Sequence, residues 1–116
     1  MRISTPSGTF ETNDPAQIET ALRQSPEVWV SGEDSYPCLS ILISGENACV
    51  NYFGTDENDL WLSQSDSSQS VTFYPDGAEW ECPADAVVSV ETALECVREF
   101  CQTLARPANI LWQYGV

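Results

Sequence analysis

Six segments of strand composition follow one another between residues 28 and 82: VWVSG (28–32), CLSILIS (38–44), ACVNYF (48–53), LWLSQ (60–64), VTFYP (71–75) and AEWEC (78–82). The connections between them are a few residues long, and two of them carry turn chemistry in Gly45-Glu46-Asn47 and Pro75-Asp76-Gly77. Parallel neighbours need a crossover of about a dozen residues or more, so these strands pair as antiparallel hairpins. In 38–44, Leu39, Ile41 and Ile43 alternate with Ser40, Leu42 and Ser44, which marks a central strand with one face buried.

Helical patterns flank this run. NDPAQIETALRQSP predicts a short N-terminal helix: Asn13 or Asp14 caps it, Pro15 suits its first turn, and Pro26 follows its end. Gly8 to Glu11 is expected to continue a short first strand ahead of it. From the N-cap Ser89, the residues Val90, Ala93, Leu94, Val97, Phe100, Cys101 and Leu104 recur at helical spacing, long enough to cover one face of a sheet. The pattern breaks at Pro107 and resumes as a last strand, Ile110 to Tyr114. The expected fold is α+β: a mostly antiparallel sheet of about six or seven strands, covered by a long C-terminal helix and a short N-terminal one. At 116 residues, one domain over 1–116 is expected.

Eighteen acids face four arginines (Arg2, Arg23, Arg98, Arg106), with no lysine or histidine, for a net charge of −14. Such a field repels phosphate backbones and anionic lipid, which argues against a nucleic-acid or membrane partner and for a basic protein. The N-terminus lacks the apolar core of a signal peptide and no run has transmembrane length, so a cytoplasmic location is expected. The five cysteines (Cys38, Cys49, Cys82, Cys96, Cys101) show no C-x-x-C spacing and read as reduced core thiols, not as a disulfide framework or zinc site.

Without histidine there is no Ser-His-Asp or Cys-His arrangement, and without lysine no Schiff base or P-loop. Carboxylates remain. GTDENDLWLSQSD (54–66) gathers Asp56, Glu57, Asp59 and Asp66 around Trp61. An EF-hand reading fails because Leu60 and Trp61 occupy positions that need oxygen ligands, so neither metal nor cofactor is expected. Glu79 and Glu81 share one strand face about 6.5–7 Å apart, a spacing that glycoside chemistry can use, but they sit on a short strand without a cleft; a solvated edge explains them better. Glu91, Glu95 and Glu99 at i,i+4 spacing are read as a solvated helix face. Of the four tryptophans, Trp80 (between Glu79 and Glu81) and Trp112 are expected in the core, and Trp29 is left open. Trp61, with Leu60 and Leu62 inward, is expected to face out beside the acids. Acid beside exposed aromatic is the composition of a surface that grips Arg and Lys.

The order of these pieces resembles the first-catalogued family of immunity proteins from bacterial polymorphic toxin systems, often encoded beside toxins of the deaminase fold. The resemblance covers roughly residues 28–112. It is carried by Pro37-x-Leu39 entering a central strand, a strand ending in Tyr52-Phe53, then Trp61-x-Ser63, and a helix with Phe100 leading into RPANILW (Arg106, Pro107, Trp112). Leu60 stands where the family usually carries glycine. The resemblance implies a non-enzymatic inhibitor that binds a cognate toxin with a basic surface, one to one and as a monomer, occluding its active site or substrate channel. Asp56, Glu57, Asp59, Trp61, Ser63 and Asp66 are the expected contacts, with Glu79 and Glu81 as a second choice. A small carboxylate enzyme acting on a sugar and a non-inhibitory acidic adaptor remain as alternatives.

Overall fold

A computed structural model describes residues 1–115. The chain runs β1 (Arg2–Thr5), β2 (Gly8–Glu11), α1 (Pro15–Gln24), β3 (Glu27–Ser31), β4 (Cys38–Ser44), β5 (Asn47–Phe53), β6 (Leu60–Gln64), β7 (Val71–Phe73), β8 (Trp80–Cys82), β9 (Val88–Ser89), α2 (Val90–Thr103) and β10 (Leu111–Tyr114). Eight strands form one sheet in the order β10-β6-β5-β4-β3-β1-β2, with β9 also pairing β5. Every pairing is antiparallel, and the short connections require this of the hairpins β1–β2, β3–β4, β4–β5, β5–β6 and β7–β8.

Local chemistry starts both helices where the pattern predicts, but α2 stops at Thr103, so Leu104 caps the helix, 45% exposed, and does not extend its apolar stripe. The Asp14 carboxylate accepts from the Ala16 amide, with Pro15 in the first turn of α1. Ser89 Oγ accepts from the Thr92 amide to open α2, and Leu104 closes it in the left-handed region at φ 53°. Both helices pack on one sheet face. Ile18 and Leu22 of α1 join Ala93, Leu94, Val97 and Phe100 of α2 over Ile3, Val28, Val30, Leu39, Ile41 and Val50.

The opposite face corrects one expectation. The segments at 71–75 and 78–82 do not extend the main sheet; β7 and β8 form a separate two-stranded ribbon. It folds across the second face and buries Phe73 and Cys82 on Leu42 and Cys49. Strand β4 is therefore buried on both faces from Cys38 to Leu42. The ribbon leaves the β3 end of that face uncovered, where Trp29 stays 38% exposed.

A candidate partner-binding site

The loop between β5 and β6 is held by its own acids. Asp59 carries most of the constraint: its side chain accepts from the Thr55 amide and from Trp61 Nε1 (3.1 and 3.3 Å), and its backbone N–H donates to Asp56 O. Asp56 Oδ1 accepts from the Asn58 amide at 2.8 Å. Gly54 is required here, because a Cβ would meet the Asp59 carboxylate. Asp56 and Glu57 project into solvent, whereas Asp59 is half-buried.

Trp61 is not the free aromatic that the alternation predicts. Leu62 does turn inward, toward the ribbon core, but Trp61 pairs with Tyr52 on the helix-bearing face. The chain leaving α2 returns over it: the Arg106 guanidinium lies 3.9 Å from the ring centroid, and Tyr114 meets it edge-on at 4.7 Å. The ring already holds a cation, and that cation is its own.

Ser63 departs furthest from its expected role. It is fully buried, so it cannot touch a partner. Its hydroxyl donates to Ala86 O (2.7 Å) and accepts from the Val50 amide (3.1 Å). Along β5, β6 pairs with Asn51 to Phe53 and β9 with Asn47 and Ala48. Ser63 fills the break between them, and its side chain satisfies a Val50 N–H that the backbone of neither strand pairs.

The remaining acids are dispersed. Asp66 is exposed but follows β6 at the end away from the loop, about 17 Å off for five strand residues. Glu79 and Glu81 are exposed on the ribbon. The structure thus groups Asp56, Glu57, Asp59 and Trp61 and separates them from Asp66, Glu79 and Glu81. Trp80 packs against the ribbon core and Trp112 against the helix-side core, as expected. Among the described residues, no group of three or more acids and cysteines is placed to hold a metal ion.

The closing Arg-Pro…Trp segment is a latch. Pro107 is buried and its carbonyl accepts from Trp112 Nε1 at 2.7 Å, while Gln113 Nε2 donates to Ser63 O at 3.1 Å. The first bond folds the loop onto β10, and the second adds to the ladder that joins β10 to β6.

A second aromatic group escaped the sequence reading. Trp29 stacks on Phe53 (centroids 5.6 Å, 23° between planes), and Tyr36 meets Phe53 edge-on at 6.5 Å. All three lie at the β3–β5 end of the ribbon-side face, where desolvation, then Cys38, Glu57 and Asp56, raise the Tyr36 hydroxyl pKa. The pattern Val28-Trp29-Val30, with both valines buried, was the signal that Trp29 faces away from the helices.

The thiols belong to the cores. Burial pushes Cys38 and Cys96 up to about 11, and Cys49 is raised by its hydrogen bond with Cys82 and by burial.

Set beside known proteins, residues 3–114 match the family model described as Immunity protein Imm1. The chain belongs to this family of immunity proteins. Over 82 residues it is 32% identical to a protein of Burkholderia cenocepacia (strain H111) named double-stranded DNA deaminase immunity protein, covering 69% of this chain and 67% of that one. Among the described residues, no helix is long and apolar enough to cross a membrane.

Proposed function

We propose that the chain acts as a single immunity domain that neutralises a deaminase toxin by binding it one to one as a monomer and blocking its substrate channel. The protein does this without turnover, in the cytoplasm of the cell that makes the toxin. A deaminase that works on DNA must hold a polyanion, so its channel is basic, and an acidic protein surface competes with the phosphates for it.

The observation that supports the reading is a pair of exposed acids on the β5–β6 loop, in a chain where only Glu19 and Glu91 of eighteen acids form ion pairs among the described residues. The three ion pairs among the described residues, Arg23–Glu19, Arg23–Glu91 and Arg98–Glu19, all sit on the helix side. Asp56 and Glu57 have no such partner there and project from the β5–β6 loop. They are the proposed leading contacts, with Asp59 and Trp61 holding the loop in shape.

Co-expression with the toxin domain encoded beside it tests the function: cells survive with the protein and die without it. Reversing Asp56 and Glu57 to lysine should slow association about tenfold at low salt, with the difference shrinking as salt rises. Asp59 is left intact because its loss would open the loop. Equal association rates for the double variant and the native protein would remove the loop from the contact.

A further inference from the structure

Beside Trp29, the β1–β2 turn and the tip of the ribbon enclose a groove of about 520 Å³. Trp29 and Tyr74 form aromatic walls, 38% and 50% exposed, and Glu27 and Asp76 supply carboxylates. The groove is built. Glu27 Oε1 accepts from the Asp76 amide at 3.0 Å, bonding the sheet to the ribbon tip and leaving its other oxygen for a further donor. The nearest arginine by register is Arg2, opposite Ser31 on the same face, and it does not line the groove. Trp61 already stacks its own Arg106, whereas no arginine lines the groove at Trp29.

We infer that this groove receives an arginine or lysine side chain from the toxin, stacked on Trp29 and Tyr74 and neutralised by Glu27 and Asp76. The inference rests on the immunity reading and names a second, central contact for it. A guanidinium has a flat apolar face for the rings and N–H edges for the carboxylates, which matches a site with aromatic walls and an acidic floor. Desolvated aromatic anchors of this kind carry most of the energy of a typical interface, while rim charges such as Asp56 and Glu57 chiefly set the rate of encounter.

The test measures association and dissociation rates with the toxin domain encoded beside the protein, for native protein and for Trp29→Ala, Tyr74→Ala and Glu27→Gln, after each variant's melting temperature is recorded. Trp29→Ala should raise Kd about 30-fold through faster dissociation, and Tyr74→Ala and Glu27→Gln each about three- to tenfold. If Trp29→Ala fails to fold, Tyr74→Ala decides, since Tyr74 is half exposed, and Glu27→Gln counts when its melting temperature shows that the bond to the Asp76 amide is kept. Native-like affinity, within twofold, in every folded variant would overturn the groove and leave the immunity reading standing. Native protein that neither binds nor protects would overturn both, and that failure is seen before any variant is made.

Discussion

Ser63 uses both capacities of its hydroxyl inside the protein, between the Val50 amide and the Ala86 carbonyl. Ser63→Ala should therefore lower stability by about 1–3 kcal/mol, because a buried N–H and C=O each lose a partner, and denaturant unfolding will read the loss. Toxin affinity per folded molecule should not change. The serine was visible in the sequence as part of an aromatic-x-Ser pair, but its direction was not. A strand pattern tells which face a residue joins, not that its strand is about to leave the sheet. Trp61 was obscured for a related reason: the cation that covers it arrives from a loop 45 residues later. Arg106→Ala should uncover the ring and cost about 0.5–1 kcal/mol, with a change in tryptophan emission as the spectroscopic sign.

Among the elements, α2 was the most legible, since its cap, its apolar stripe and its stop all act within a few residues. Ser89→Ala removes the cap and should cost about 1 kcal/mol, measured by urea unfolding. Strands β3 to β6 were legible through alternation and turn chemistry. The assignment of β7 and β8 to a separate ribbon was not, because a short apolar strand looks the same whether it extends a sheet or lies across it. Nor was β9: two residues carry no periodicity, and only the open edge of β5 makes them a strand. The groove at Trp29 is a product of that ribbon, so no reading of single segments could have found it.

At the scale of the molecule, charge and buried thiols set the response to solvent. Self-repulsion at −14 destabilises the compact state, so added sodium chloride should raise the melting temperature while slowing toxin association. The thiols act at high pH. Cys38 and Cys96 titrate near 9 when unfolded and about 11 when folded. Between those values the unfolded chain sheds protons that the folded chain keeps. Their stabilising contribution is complete below pH 9, falls as pH rises and is gone past about 11. Melting temperatures from pH 8 to 11 should decline accordingly, and less so for Cys38→Ser with Cys96→Ala.

The sheet is also ordered in time. Strand β6 pairs with β10, whose partner residues lie some fifty positions away, and β5 is finished only by β9. Local hairpins from β3 to β6 can form as the chain emerges, but pairings of such long sequence separation close late. The β5–β6 loop and the groove at Trp29 belong to a sheet whose last edge strand cannot dock until residue 114 has been made. A chain stopped before Leu111 leaves β6 as a bare, aggregation-prone edge.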